Sequence, residues 1–139
     1  MGFETVELAT DLDHDAMVKA LRVFRDQADN ADWALIYFAG HGIEINRVNY
    51  LIPLDARLVD DRDVKAETVS YEELLSAIGG ASALRLVVLD ACRVNPFKEQ
   101  MRRTAGSRGS VDRGLAPPPG PGPGTLGGLF RQGQRSRGR

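Results

Sequence analysis

Two apolar runs decide the fold, WALIYFAGHG at residues 33–42 and LRLVVLDAC at residues 84–92. Both runs are mostly apolar until their last few positions. Such runs are typical of strands that are covered on both faces, as in a parallel sheet. We therefore predict a buried strand in each run, with the aromatic residues Trp33 and Tyr37 in the core.

The residues before the first run predict a helix. Met17, Leu21 and Phe24 are spaced by four and three positions, so they form one apolar face of a helix that extends to about residue 29. Asp11 or Asp13 is the expected N-cap, since a short acidic side chain accepts hydrogen bonds from the first turn.

A second helix is predicted at YEELLSAI, residues 71–78. Ser70 is its expected N-cap, and Glu73 completes a capping box. Gly79 and Gly80 are expected to end this helix.

The remaining ordered segments are shorter. FETVEL, residues 3–8, alternates apolar and polar residues and predicts a strand. A hairpin with a turn near Asn46-Arg47 is predicted after the first apolar run, and residues 54–68 are expected to form a polar loop. Strands alternating with helices indicate an α/β fold with a parallel sheet.

The two apolar runs bring chemistry to one edge of that sheet. The first strand is expected to end near His41 and the second near Cys92, the only cysteine. Ligands of open parallel sheets bind beyond the carboxyl ends of the strands. If the two strands are neighbours, about 5 Å apart, an imidazole and a thiol meet there.

That pair supports nucleophilic catalysis. Cys92 is the candidate nucleophile and His41 the candidate acid and base, since an imidazole accepts the thiol proton and later protonates a leaving amine. The N–H groups of Gly42 and Cys92 would form an oxyanion hole. The alternative is structural, with Cys92 a small buried apolar residue and His41 a capping residue.

Three motifs resemble a known family. YFAGHG at 37–42, LDACRVNPF at 89–97 and NYLIPLDA at 49–56 are similar to blocks of the caspase-like cysteine peptidases, in their bacterial caspase-like and metacaspase–orthocaspase branch. The 51 positions from His41 to Cys92 agree with the spacing in caspases. The resemblance implies a caspase-like three-layer sandwich, a mostly parallel sheet with helices on both faces, and a polypeptide substrate.

The resemblance also implies a specificity pocket. Asp90 stands where caspases have Gln, and in the metacaspase branch this acidic residue lines the primary pocket, which implies cleavage after Arg or Lys. Ala39 occupies a position where metacaspases often have a small polar pocket residue. The alternative for Asp90 is a strand-end residue that hydrogen-bonds a local loop.

Compared with the family, residues 1–104 resemble a partial catalytic domain. The family has a strand and a helix before the segment at 3–8, and a further strand and a small subunit after the Gly-Thr-Leu stretch at 124–126. The chain is therefore expected to be truncated at both ends. Exposed sheet edges would then favour self-association. A second hypothesis is therefore a catalytically inactive fragment or an interaction module.

Charge and composition bound the remaining possibilities. The net charge is −1, but residues 98–139 carry nine Lys and Arg against two acidic residues. Residues 105–139, rich in Pro, Gly and Arg, are predicted to be a disordered, solvated tail; binding of nucleic acid, or of the acidic half of a second copy, is the less favoured alternative.

No cofactor is expected. Some relatives are calcium-activated, but residues 59–63 lack the regular ligand spacing of a calcium loop and are more simply a solvated acidic loop. No signal peptide or membrane span is apparent, so a cytoplasmic location is expected and a membrane partner is not.

Overall fold

The computed structural model describes the backbone of residues 2–92 and 125–130, and the side chains of residues 2–91. Three helices and five strands lie in these segments. The helices are α1 (His14–Ala28), α2 (Asp63–Glu67) and α3 (Tyr71–Ile78), and the strands are β1 (Trp33–Ile45), β2 (Val48–Ile52), β3 (Val69–Ser70), β4 (Leu84–Cys92) and β5 (Thr125–Phe130).

The strands form one mixed sheet in the order β3-β2-β1-β4-β5. The pairs β1–β4 and β4–β5 are parallel and longer, whereas β1–β2 and β2–β3 are antiparallel and shorter. The predicted α/β class is therefore confirmed, and the two apolar runs are neighbouring parallel strands.

Helices α1 and α3 cover one face of the sheet. Their apolar stripes pack against alternate residues of β1 and β4, so Leu74, Ile78 and Val87 are almost completely buried. Both predicted helix starts are confirmed. Asp13 accepts a hydrogen bond from the Ala16 N–H, and the capping box of α3 is complete.

Among the described residues, the opposite face is covered only beside the hairpin of β1 and β2. Asn46 and Arg47 have positive φ angles of 53° and 67°, as a tight hairpin turn requires, and this confirms the predicted turn. Ile43, Leu58 and Val64 pack together there. Residues 54–68 are therefore not loop throughout, because Val64 anchors the short helix α2 on this cluster.

The described residues leave the remainder of that face open, and here one prediction is wrong. The side chains of Trp33 and Tyr37 are 57% and 58% exposed, instead of buried in the core. Both lie on the face of β1 away from α1 and α3, and only the alternate residues of the apolar run contact the helices.

The predicted strand at residues 3–8 is also wrong. This segment has no strand assignment, and Val6 and Leu8 are 80% and 89% exposed. Only the Phe3 ring meets another aromatic residue, edge-on to Trp33 with the ring centroids 6.5 Å apart. Alternation alone does not make a strand where no neighbouring backbone supplies hydrogen bonds.

The predicted disorder of residues 105–139 does not hold throughout. Residues 125–130 form β5, paired in register with β4 from Arg85 to Asp90. The parts of the predicted tail at 105–124 and 131–139 lie outside the described residues. Composition averaged over the tail hid a short segment, TLGGLF, whose backbone is satisfied by the edge of β4.

Candidate active site

His41 and Cys92 are directly paired across the two central strands. The parallel register of β1 and β4 runs from Trp33 opposite Leu84 to His41 opposite Cys92. Register partners in adjacent strands lie about 5 Å apart and belong to the same face of the sheet. The predicted neighbourhood of these two residues is therefore present in the backbone.

This pairing is set where the strands begin. Before β1 and β4, two turns run side by side: the N–H groups of Ser82 and Ala83 donate to the carbonyls of Ala31 and Asp32, at 3.0 and 2.8 Å. The Ser82 hydroxyl also donates to the Asp32 carboxylate at 2.9 Å. These bonds fix the register of β1 against β4. The ninth pair of that register places His41 opposite Cys92.

One detail differs from the prediction. β1 does not end at His41 but continues to Ile45, where its last residues pair with β2. His41 is the last residue of β1 to pair with β4 and the first to pair with β2. It therefore lies at the branch between the parallel and the antiparallel parts of the sheet, and it is exposed.

Gly42 follows His41 within β1. It is buried and paired in register with Leu51 of β2. It thus belongs to the strand that carries His41, one residue past the last β1–β4 pair.

Asp90 and Ala39, the predicted pocket residues, are also register partners. They precede Cys92 and His41 by two positions, which places them on the same face and about 7 Å back along the strands. The open face therefore carries two rows of positions: 37, 39 and 41 on β1, and 88, 90 and 92 on β4.

Asp90 makes a contact on this face that the sequence did not predict. The Tyr37 hydroxyl donates a hydrogen bond of 2.9 Å to Oδ2 of Asp90. This bond to a carboxylate raises the pKa of Tyr37 above its usual value, because it stabilises the protonated phenol. The i, i+2, i+4 spacing of Tyr37, Ala39 and His41 was the signal available in the sequence, since alternate strand residues share a face.

The acidic loop at residues 59–63 uses its carboxylates locally. Asp60 accepts from the Arg62 guanidinium at 3.0 Å, and this bond is the main reason that its pKa is lowered. Asp63 accepts from the N–H groups of Val59 and Asp60, both at 3.0 Å. Within the described residues there is no group of three or more His, Cys, Asp or Glu arranged to hold a metal ion. Both carboxylates thus accept hydrogen bonds from groups within the loop.

Comparison with protein families identifies the chain. The family model described as caspase domain matches residues 1–135. The chain belongs to the caspase domain family. This is a family of cysteine peptidases, so the resemblance to caspase-like peptidases is confirmed and a polypeptide substrate follows from it.

The caspase domain match extends well beyond residue 104, the predicted end of the catalytic domain. Searched against curated proteins, the chain has no significant match. None of the helices in the described part of the chain is long and apolar enough to cross a membrane.

Proposed function

We propose that this caspase domain is a cysteine endopeptidase of the metacaspase–orthocaspase branch, with Cys92 as the nucleophile and His41 as the acid and base. The observation that carries the proposal is the register pairing of these two residues at the end of the β1–β4 ladder. A lone cysteine or histidine would be weak support. Two such residues at neighbouring positions on one face can act on the same bound peptide.

The first half-reaction transfers the acyl group. His41 takes the thiol proton, and the Cys92 thiolate attacks the carbonyl carbon of the scissile peptide bond. The N–H groups of Gly42 and Cys92 stabilise the oxyanion that forms. When the C–N bond breaks, the His41 imidazolium gives its proton to the leaving amine, and the acyl group remains on sulfur as a thioester.

The second half-reaction restores the enzyme. His41 accepts a proton from water as the water oxygen attacks the thioester carbonyl. The C–S bond then breaks, the thiolate leaves and takes back the proton from His41, and the acid product departs as a carboxylate after it releases its remaining proton to solvent. The exposure of His41 supports this step, because water has direct access to the imidazole.

Asp90 carries the proposed preference for a basic residue before the cleaved bond. Its carboxylate would bind a guanidinium or ammonium through a charge-assisted hydrogen bond. Asp90 is partly exposed, and Ala39, its register partner on β1, has a methyl side chain that places no competing charge beside it. A long cationic side chain fits the separation of about 7 Å along the strands between Asp90 and the reacting pair, His41 and Cys92.

Matched fluorogenic peptides with Arg, Lys or Asp before the reporter test this function. The wild-type chain should release the reporter from the Arg and Lys peptides, depending on reduced thiol, and Cys92→Ala and His41→Ala should abolish release. The other histidine supplies the control, since His14→Ala on α1 should retain activity. Equal turnover by Cys92→Ala would refute the assignment.

The pocket has its own test. Asp90→Asn should lower kcat/KM for the Arg peptide by about 10- to 100-fold, the range for loss of a hydrogen bond between charged groups. Asp11→Asn is a matched control, since Asp11 is exposed and its φ of 53° suits asparagine. An unchanged preference in Asp90→Asn would remove Asp90 from the pocket.

A second candidate function, self-association, is favoured by the open side of β1. Over the described residues, Trp33–Gly40 pairs only with β4, so its other edge has no partner strand. Leu35 and Trp33 are exposed beside that edge. Such an edge accepts a strand from another chain.

Sedimentation of the wild type and of Leu35→Lys tests self-association. We expect a concentration-dependent oligomer that the added charge disrupts. A wild-type chain that stays monomeric at all concentrations would exclude it.

A further inference from the structure

The bond from Tyr37 to Asp90 is unusual because of where it lies. A tyrosine that is 58% exposed has water available, yet its hydroxyl reaches across to the neighbouring strand. Tyr37 is in register with Val88, so the bond runs diagonally to the next position on the same face of β4. The contact therefore links the two rows of the open face at the carboxylate proposed to recognise substrate.

Ala39 cannot provide this link. It is the direct register partner of Asp90, but its methyl group has no polar atom. From β1, the orientation of the carboxylate is thus governed by Tyr37, whose hydroxyl holds Oδ2 at 2.9 Å. Oδ1 is then presented in a fixed direction.

We propose that Tyr37 is a positioning residue that fixes the plane of the Asp90 carboxylate and thereby sets a preference for arginine over lysine before the cleaved bond. The inference rests on the proposed function of Asp90. A planar guanidinium needs a carboxylate in a defined plane to bind through two parallel hydrogen bonds, whereas an ammonium binds as a point charge from many directions.

The charge state of the phenol suits this role. Asp90 raises the pKa of Tyr37, so the hydroxyl keeps its proton and remains a donor at neutral and moderately alkaline pH. A tyrosinate at this position would repel the carboxylate instead of orienting it.

Tyr37→Phe tests the inference because it removes the hydroxyl and leaves the ring. KM for the Arg peptide should rise about three- to ten-fold with little change in kcat, in line with loss of one hydrogen bond. KM for the Lys peptide should change less, so the Arg-to-Lys ratio of kcat/KM falls. A merely destabilised domain would lose activity on both peptides equally.

Two further variants complete the experiment. Trp33→Phe, an equally exposed aromatic on the same strand and face, should leave the ratio unchanged. In an Asp90→Asn background, Tyr37→Phe should have no further effect on the ratio, because the carboxylate it orients is gone.

The outcomes separate the two claims. If the wild type cleaves the Arg peptide through Cys92 but Tyr37→Phe keeps the wild-type ratio, the positioning role is refuted and the proposed function stands. If the wild type cleaves neither the Arg nor the Lys peptide, both are refuted. A lowered ratio in Tyr37→Phe that persists in the Asp90→Asn background would also refute the inference, since Tyr37 would then act without the carboxylate.

Discussion

Gly80→Ala should loosen the junction that aligns the candidate active site. A Cβ atom at Gly80 would lie 2.0 Å from Oδ1 of Asp29 and 2.8 Å from its Cα. The carboxylate can rotate away, but the backbone of Asp29 must move, because it is the C-cap of α1. Overpacking of this kind destabilises a domain by about 1–3 kcal/mol.

Urea denaturation followed by circular dichroism measures this loss. Gly79→Ala is the control, because its Cβ would approach the Ser76 carbonyl only to 3.3 Å and the residue has right-handed helical angles. We expect Gly79→Ala to change the free energy of unfolding by less than about 1 kcal/mol. Equal stability of the two variants would contradict this prediction. It would mean that the contact between Gly80 and the C-cap of α1 does not require glycine.

The remaining predictions concern capping, packing and titration. Ser70→Ala should lower the free energy of unfolding by about 1 kcal/mol, because the Glu73 N–H loses its side-chain acceptor; denaturation checks it, and an unchanged midpoint would contradict it. Leu74→Ala should cost about 2–5 kcal/mol and Leu8→Ala less than about 0.5, since Leu74 is 1% exposed and Leu8 is 89% exposed; similar losses would show that Leu8 is packed. All three tyrosines have raised pKa values, so their contribution to stability is complete below about pH 10 and is lost as the pH rises through those values. In spectrophotometric titration at 295 nm, Asp90→Asn should lower the pKa of one tyrosine, and Tyr37→Phe should remove that titration; a curve unaffected by Asp90→Asn would rule out the hydrogen bond.

Local signals in the sequence were sufficient for the helices. Asp13 and Ser70 specify helix starts through bonds to backbone only three residues away, and the structure has both. The turn at Asn46-Arg47 is local in the same way. The two apolar runs also predicted the strands β1 and β4, since short apolar runs bounded by turn residues are typical of buried strands. That these two strands are neighbours was a condition of the site prediction, and the structure meets it.

What depends on distant partners was not predictable. Trp33 and Tyr37 are of residue types that are usual in a core. Their burial would require a helix or loop packed on their face of the sheet, and the described residues supply none there. The segment at 3–8 has the alternation of a strand without a pairing neighbour. Residues 125–130 show the opposite case. Their local preference for a strand is weak, but pairing with the edge of β4 makes them one.

The sequence predicted where the candidate site residues lie in the sheet, but not their contacts. Strand ends indicated His41 and Cys92 as neighbours, and their register bears this out. The bond from Tyr37 to Asp90 depends on which residue of β1 lies diagonal to Asp90. A shift of one position in the register of β1 against β4 would move Tyr37 to the other face. That register depends on the bonds between the turns before the two strands, which are distant in the sequence.

The central claim is that His41 activates the thiol of Cys92. Because the chain has a single cysteine, iodoacetamide reports on that residue alone, and its alkylation rate measures the thiolate. We predict alkylation at pH 6 much faster than that of free cysteine in the wild type, and a rate close to free cysteine in His41→Ala. A wild-type rate no greater than that of free cysteine, or one unchanged by His41→Ala, would contradict the account.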